Sequence, residues 1–250
     1  MTQLPWLDAQ QLDFPSTDTA LEEPNGLLAV GGDLSPARLL NAYRNGIFPW
    51  FDDDQPILWW SPSPRAVIFP ERVYISKSMA KVLRKQELCT TADMKFDQVI
   101  RHCADTERPG QEGTWITDEM SDAYGELHRR GFAHSIEVWR GDALVGGLYG
   151  IAIGKVFFGE SMFSLYANAS KVAFISLCQQ LQAWGYAVID CQVSNPHLTS
   201  LGAVEIPRQQ FNQLLKDNID LSHYEALQKH SEKYQQQHWR DDWQNGRGVL

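Results

Sequence analysis

Residues 156–192 read VFFGESMFSLYANASKVAFISLCQQLQAWGYAVIDCQ, and their hydrophobic pattern changes twice along the way. The first eight residues are rich in aromatic and β-branched side chains and predict a strand. The next segment predicts a helix, because its apolar residues have the spacing of one helix face, at Phe174, Leu177, Cys178 and Leu181. Asn168 or Ser170 can cap that helix, and Gly185 stands where a helix usually ends. Residues 186–192 predict another strand. Since a crossover helix joins neighbouring parallel strands, we expect a strand–helix–strand unit.

Each of these two apolar strands carries a carboxylate. Glu160 follows Gly159 in the first strand, and Asp190 lies near the end of the second strand with Gln192 two residues on. Strand side chains alternate, so we expect Asp190 and Gln192 to share one face. A single strand-end carboxylate can simply be hydrogen-bonded to a neighbouring loop. Because burying an unpaired charge is costly, two carboxylates together predict a functional site.

Length and composition favour a globular protein with one core, or one core and a small second domain. The chain has 250 residues, of which 43% are hydrophobic, and no run of eighteen apolar residues that could span a membrane. Residues 1–13 lack the pattern of a signal peptide, so we expect a cytoplasmic protein with no membrane partner. No C-x-x-C pair is present and a metal site is not predicted; the cysteines read as free thiols, at Cys89, Cys103, Cys178 and Cys191.

Positive charge is concentrated in one segment of an otherwise acidic chain. The formal net charge is −9, yet six basic residues and one acidic residue lie between Arg65 and Lys85. Four of the basic residues have helical spacing, namely Lys77, Lys81, Arg84 and Lys85. A run of charge usually forms a solvated helix face. Its concentration in so acidic a chain favours a surface that binds nucleic acid.

The first 65 residues are dense in Pro, Gly and Trp and predict a small domain of their own. A turn, a short strand and a second turn lead into a helix over 37–45, capped by Asp33 or Ser35. Three tryptophans follow within eleven residues, at Trp50, Trp59 and Trp60. They either form the core of the small domain or line a cleft, and Trp50 is the cleft candidate.

The remaining chain predicts a strand at 66–69, helices at 76–87 and 96–104, and a helix capped by Thr117. Strands at 134–139 and 144–153 form a hairpin around Gly141. Trp115 ends a loop that either covers a ligand or packs on the following helix. A short helix at 198–203 and a helix at 208–216 come last. We expect a catalytic domain at 66–217 and a polar extension at 218–250, either a peripheral helix or a partly disordered tail.

An antiparallel meander followed by a helix and a strand resembles the acyltransferase fold that serves N-acetyl transfer to amines. The coenzyme A pyrophosphate loop of that fold is absent, because the helix opens with NASK at residues 168–171. Another activated acyl donor is therefore needed. We predict an α+β protein, with a small N-terminal α/β domain on a C-terminal acyltransferase-like (N-acetyltransferase-type) domain.

Several motifs, in order, resemble the leucyl/phenylalanyl-tRNA–protein transferase family. They are EPNGLLAVGGDLSPARLL (23–40), GIFPWF (46–51), WWSPSPR (59–65), GTWIT (113–117), HSIEVW (134–139), FFGESMFS (157–164), NASK (168–171) and IDCQ (189–192). The resemblance spans residues 14–208. It implies transfer of Leu or Phe, and to a lesser extent Met, from aminoacyl-tRNA to the N-terminal amine of proteins that begin with Arg or Lys. Such proteins enter degradation by the bacterial N-end rule.

The resemblance also implies roles for individual residues. Asp190 and Gln192 match the catalytic pair, and Glu160 matches the pocket carboxylate. Trp50 and Trp115 match the aromatic residues that hold the 3'-adenosine of the tRNA. The apolar aminoacyl pocket corresponds to Leu148, Phe157, Met162, Phe174, Leu177 and Ile189. The basic helix with Lys77, Lys81, Arg84 and Lys85 corresponds to the tRNA-backbone surface.

The expected chemistry needs no cofactor, ATP or metal, because an aminoacyl ester is already activated. Asp190 could act as general base or could orient the attacking amine. Glu160 could hold the ammonium group of the aminoacyl donor. We expect a monomer whose partners are aminoacyl-tRNA and the acceptor protein.

Three other functions fit parts of the sequence. They are a coenzyme A-dependent N-acetyltransferase, a non-catalytic RNA-binding module, and an aminoacyl-tRNA transferase that acts on a cell-wall acceptor.

Overall fold

The computed structural model describes residues 4–8, 10–106, 116–220 and 238–244. It is a mixed α/β structure with two sheets. In chain order the elements are β1 (Trp6–Leu7), β2 (Leu27–Gly31), α1 (Pro36–Arg44), β3 (Phe48–Pro49), β4 (Leu58–Trp60), β5 (Arg65–Ile68), α2 (Lys77–Lys85), β6 (Cys89–Ala92), α3 (Phe96–Ala104), α4 (Asp118–Arg129), β7 (Ala133–Arg140), β8 (Ala143–Ile153), β9 (Val156–Ser164), α5 (Ala169–Ala183), β10 (Val188–Gln192), α6 (Pro196–Thr199), β11 (Val204–Ile206) and α7 (Arg208–Asn218).

The N-terminal part is a four-stranded sheet in the order β1-β2-β4-β3, with α1 beside it. Ser35 caps α1, as predicted, because its hydroxyl accepts a hydrogen bond from the Arg38 N–H and Pro36 begins the first turn. Trp59 is fully buried, and its indole N–H donates to the carbonyl of Gly31 at 2.8 Å. Of the two interpretations of the N-terminal tryptophans, Trp59 therefore fits the core.

The larger sheet has seven strands in the order β11-β5-β10-β9-β8-β7-β6. β9 and β10 pair in parallel, and α5 connects them, so the predicted strand–helix–strand unit is confirmed. All the other neighbouring strands described in this sheet run antiparallel. The predicted hairpin around Gly141 is β7–β8.

Hydrophobic residues cover both faces of this sheet. Phe157 and Ile189 pack with α5 in one cluster, which we call the α5-side core. Their strand neighbours Phe158 and Val188 pack with α1, α3 and α4 in a second cluster, which also contains residues of the N-terminal sheet. The alternation along β9 and β10 therefore separates two packed layers. The division of the chain at residue 65 stays a prediction.

Two details differ from the sequence predictions. Asn168 precedes α5 in a left-handed conformation, with φ +67°, and its side chain makes no capping bond. The hydroxyl of Ser164 accepts from the Ser170 N–H instead, at 3.3 Å. The polar tail was expected to be peripheral or partly disordered, yet Trp239 and Trp243 within 238–244 are buried in the α5-side core. In the described residues, no helix is long and apolar enough to cross a membrane.

Two glycines in the hairpin turns give a stability prediction with an internal control. Gly141 and Gly154 have nearly the same backbone conformation, with φ +58° and +59°. A Cβ at Gly154 would lie 2.3 Å from the carbonyl oxygen of Asn218, whereas a Cβ at Gly141 would meet no atom within 4 Å. Both substitutions by alanine introduce the left-handed strain of about 1 kcal/mol.

We expect Gly154→Ala to lower the free energy of unfolding by about 2 kcal/mol more than Gly141→Ala, because the backbone of Asn218 must move. The corresponding difference in Tm is about 4–8 °C for a chain of this size. Thermal unfolding of the two variants side by side measures it. Equal Tm values would mean that the Asn218 carbonyl moves freely.

Candidate active site

The half-buried carboxylate of Glu160 lies at the centre of a hydrogen-bonded cluster. The cluster is on the face of the large sheet that packs against the N-terminal part of the chain. Tyr43 donates to Oε1 of Glu160 at 2.8 Å, and Tyr124 donates to Oε2 at 3.0 Å. Nε2 of Gln192 also donates to Oε1, at 2.9 Å. The two tyrosine hydroxyls contact each other as well. These four side chains come from α1, α4, β9 and β10, so the fold assembles the cluster from distant parts of the chain.

Burial raises the pKa of Glu160 to about 7, and the negative charge of Asp190 acts in the same direction. The hydrogen bonds from Tyr43, Tyr124 and Gln192 favour the ionised form and limit the rise. Burial and the nearby Glu160 charge also raise the pKa values of Tyr43 and Tyr124 well above that of free tyrosine. The tyrosines therefore remain protonated donors, and Glu160 changes its charge close to neutral pH.

Two β-bulges, one in β9 and one in β10, position Glu160 and Gln192. Gly159 and Ser161 pair with consecutive residues of β8, so Glu160 is the extra residue of the first bulge. Cys191 is the extra residue of the second, because Asp190 and Gln192 pair with consecutive residues of β5. The regular alternation predicted for Asp190 and Gln192 is therefore interrupted, and Gln192 adopts a left-handed φ of +62°.

The parallel pairing of β9 with β10 ends at Phe158 and Asp190. Glu160 and Gln192 lie just beyond that point and hydrogen-bond across the gap between the strands. Polar residues at the carboxyl ends of parallel strands often form a site where the strands separate. The structure thus brings Glu160 and Gln192 together. The sequence predicted one site that contains both carboxylates, Glu160 and Asp190, with Gln192 beside Asp190.

Asp190 lies behind this gap in an ion pair that sequence reasoning missed. Nε and Nη2 of Arg65 donate to its two carboxylate oxygens at 2.8 and 2.7 Å, and both side chains are buried. The backbone N–H of Gln192 donates to the same carboxylate at 2.9 Å. Phe48 and Phe211 each place a ring 4.8 Å from the guanidinium carbon of Arg65. The sequence analysis counted Arg65 among the basic residues of a surface segment. That assignment was wrong, because the Arg65 side chain is buried.

The six predicted pocket residues all belong to or pack against the α5-side core. Five are buried and Met162 is half-buried, the buried ones being Leu148, Phe157, Phe174, Leu177 and Ile189. They lie on the opposite face of the sheet from the Glu160 cluster.

The candidate RNA-binding residues are partly described. Trp50 is 42% exposed and lies beside Trp60, with ring centroids 5.7 Å apart, while the Trp60 indole N–H donates to the Trp50 carbonyl. Trp115 lies outside the described residues. The predicted basic helix is α2, which buries Met79 and exposes four cations to solvent, Lys77, Lys81, Arg84 and Lys85.

Sequence reasoning did not find Tyr43 or Tyr124, which lie on helices far from β9 in the chain. Each tyrosine lies in the apolar pattern of its helix, which predicts burial. Because a buried tyrosine hydroxyl needs a hydrogen-bond partner, the two residues could have been recognised as candidates for a polar cluster. Across the described ranges, no three His, Cys, Asp or Glu side chains are grouped so that they could hold a metal ion.

Comparisons with known protein families and sequences give matches over most of the chain. The family described as "Leucyl/phenylalanyl-tRNA protein transferase" matches residues 67–216, and its N-terminal domain matches residues 32–63. The leucyl/phenylalanyl-tRNA–protein transferase of Saccharophagus degradans is 52% identical over 243 residues, which are 97% of this chain and 96% of that protein. The protein of the same name from Pseudomonas syringae is 58% identical over 217 residues, or 87% and 94% of the two chains.

Among solved structures, L-PGS from Bacillus licheniformis is similar over 65% of this chain and 62% of its own, with 14% identity and a TM-score of 0.37. A likeness this weak supports no conclusion. The sequence comparisons, by contrast, extend over nearly the whole chain at more than half identity. The chain therefore belongs to the leucyl/phenylalanyl-tRNA–protein transferase family, whose members are aminoacyltransferases.

Proposed function

We propose that the protein transfers Leu or Phe, and to a lesser extent Met, from aminoacyl-tRNA to the N-terminal α-amine of proteins that begin with Arg or Lys. The modified proteins then enter N-end-rule degradation. The observation that carries the proposal is the hydrogen bond from Gln192 to Glu160 across the gap between β9 and β10. It places a carboxylate and an amide beside an apolar core, as an aminoacyl group requires.

The parallel β9–β10 pair with its crossover helix α5 supports an N-acetyltransferase-type arrangement of the larger domain. In such an arrangement the acyl group occupies the gap and its side chain enters the α5-side core. Met162 is half-buried at the edge of that core, on the same strand as Glu160. An apolar pocket of this kind accepts Leu, Phe and Met and separates them weakly, because one methylene is worth about 1–3 kcal/mol.

Glu160 holds the α-ammonium of the aminoacyl group in this proposal. The carboxylate accepts three hydrogen bonds from Tyr43, Tyr124 and Gln192, and a carboxylate has about four acceptor sites. One site remains for an ammonium group in the gap. The acceptor amine, with a pKa near ~8, attacks as the free base. The new C–N bond forms while the ester C–O bond breaks, and the amine proton ends on the 3'-oxygen of the released tRNA.

Asp190 orients the site, in our proposal, rather than accepting the proton. Both of its oxygens accept from Arg65, and one also accepts from the Gln192 N–H. The Asp190 side chain is fully buried, and Arg65 binds both of its oxygens. Its hydrogen bond to the backbone keeps Gln192 in the left-handed conformation that lets the amide reach Glu160. Of the two roles left open by the sequence, positioning fits this geometry better.

In the proposal, surface residues outside the gap between β9 and β10 bind the tRNA. The exposed cations of α2 contact the phosphate backbone, and Trp50 stacks on the 3'-adenosine, which contributes ~1–3 kcal/mol for a single-stranded base. Trp115 is proposed for the same role on the basis of its motif. All four cysteines are free thiols, which fits a reducing cytoplasm. We also propose that the protein works as a monomer.

The first prediction tests donor, acceptor and site together. Wild-type protein is expected to move labelled Leu or Phe from charged tRNA to a peptide beginning with Arg, and not to one beginning with Ala. Glu160→Gln is expected to lower kcat/KM by about 100-fold or more, because the amide carries no charge for the ammonium. Transfer of the label is measured by scintillation counting of the peptide.

Glu137→Gln is the matched control. Glu137 is also buried, lies two strands away on β7, and accepts hydrogen bonds from Thr91, Ser135 and the Lys95 N–H. We expect its substitution to affect stability while leaving kcat/KM of the folded protein within about threefold. Absence of transfer by the wild type, or transfer to a cell-wall peptide instead, would contradict the proposed function.

The second prediction concerns pH. Glu160, with a pKa of about 7, loses its charge as pH falls, and the acceptor amine becomes protonated over the same range. Below pH 7 the logarithm of kcat/KM for the wild type should therefore fall with a slope near 2. Glu160→Gln should retain only the slope near 1 that belongs to the amine. If the two proteins had the same slope, the ionisation of Glu160 would not contribute to the pH dependence of kcat/KM.

The third prediction concerns salt. Lys81→Glu combined with Arg84→Glu should weaken tRNA binding and reduce the slope of log K against log salt by about 2, one for each lost phosphate contact. Arg129→Glu with Arg130→Glu is the matched control, since these exposed cations on and after α4 pair with Glu126. Filter binding at several salt concentrations measures both. Equal slopes would exclude α2 from the tRNA surface.

A further inference from the structure

The segment 238–244 lies against the same hydrophobic core that holds the proposed aminoacyl pocket. Trp239 and Trp243 are 3% and 8% exposed. Three hydrogen bonds fix the segment: Nε of Arg240 donates to the Asp93 carbonyl, the Trp243 indole N–H donates to Thr90, and the Gln244 N–H donates to Gln180, at 2.8, 3.2 and 2.8 Å. The segment is therefore a built part of the larger domain.

Only one of the two tryptophans has a described ring contact with a pocket residue. The Trp239 ring lies 5.9 Å from the Phe157 ring, centroid to centroid, at an interplanar angle of 35°. The described ring contact of Trp243 is with Trp184, at 6.3 Å. The segment thus offers two buried tryptophans in one environment, with Phe157 beside one of them.

Phe157 contacts both Trp239 and the backbone of β8. A Cβ placed on Gly150 would lie 2.6 Å from two ring carbons of Phe157, so the ring already packs directly on the glycine. The ring cannot move further towards β8. The Trp239 ring also contacts Phe157, so the indole limits the remaining freedom of the Phe157 ring.

Trp239 is itself rigidly supported. Its ring stacks on His134 at 4.0 Å with an interplanar angle of 9°, and it meets Trp184 edge-on at 5.0 Å. His134 is in turn hydrogen-bonded to the buried Asp93 at 2.7 Å. A side chain fixed on several sides transmits its position to the neighbour that it touches.

We infer that Trp239 is a specificity-determining positioning residue, which sets the size of the aminoacyl pocket by holding Phe157 in place. The inference rests on the proposed function of that pocket. Removal of part of the indole would leave space into which the Phe157 ring can retreat. The pocket would then be larger, and the bulkier Phe side chain would gain relative to Leu.

The test compares kcat/KM for Phe-tRNA with kcat/KM for Leu-tRNA in full-length variants. In Trp239→Phe and Trp239→Leu we expect the Phe-to-Leu ratio to rise about threefold to tenfold, and more in the leucine variant. Trp243→Leu removes a comparable buried ring and should leave the ratio unchanged. The ratio is insensitive to the folded fraction, because a loss of folded protein lowers both rates equally. Should Trp239→Leu fail to fold, Trp239→Phe decides.

A double-mutant cycle identifies Phe157 as the intermediary. Phe157→Leu enlarges the pocket directly, so adding Trp239→Phe to it should change the ratio by less than about 1.5-fold. A ratio in the Trp239 variants equal to that of Trp243→Leu would overturn the inference while the wild-type transfer stands. An equal effect of Trp239→Phe with and without Phe157 would overturn it as well. Absence of transfer by the wild type would instead contradict the proposed function.

Discussion

The ion pair between Arg65 and Asp190 joins parts of the chain that are remote in sequence. It links β5 to β10, and the rings of Phe48 and Phe211 add contacts from β3 and α7. Removing one partner of a buried pair leaves an uncompensated charge, which typically costs about 3–5 kcal/mol. This constraint fixes the end of β10, and through the Asp190–Gln192 hydrogen bond it fixes the amide that reaches Glu160.

Both faces of the large sheet are covered by hydrophobic residues. The Glu160 cluster lies on one face, and the α5-side core lies on the other. A substrate with an ammonium group and an apolar side chain on the same carbon needs both environments within a few ångströms. In the proposed function, the bulges of β9 and β10 and the end of the β9–β10 pairing would meet this need without burying a free charge in the apolar core.

The sequence predicted the elements whose signals are local. The strand–helix–strand unit, α2 and α3 were predictable from hydrophobic period and caps, and Glu160 and Gln192 from their polarity in apolar strands. Arg65 was misassigned because a charge count contains no information on burial. Tyr43 and Tyr124 were missed because their partner lies more than thirty residues away in the chain. Trp239 and Trp243 lie in a Gln-rich segment, where composition indicated solvent and only tertiary packing reveals the core contacts.

The pKa of Glu160 follows from a balance that only the folded arrangement creates. Burial raises the pKa of the carboxyl, whereas the hydrogen bonds from three donors lower it. Their opposition leaves the pKa of Glu160 at about 7, so the group can gain or lose its charge near neutral pH. The proposed binding of an ammonium group uses the charged form. Asp190 is held differently from Glu160, because Arg65 binds it in a separate buried ion pair. In the proposed function, the carboxylate that Arg65 holds orients the site, and Glu160 faces the substrate.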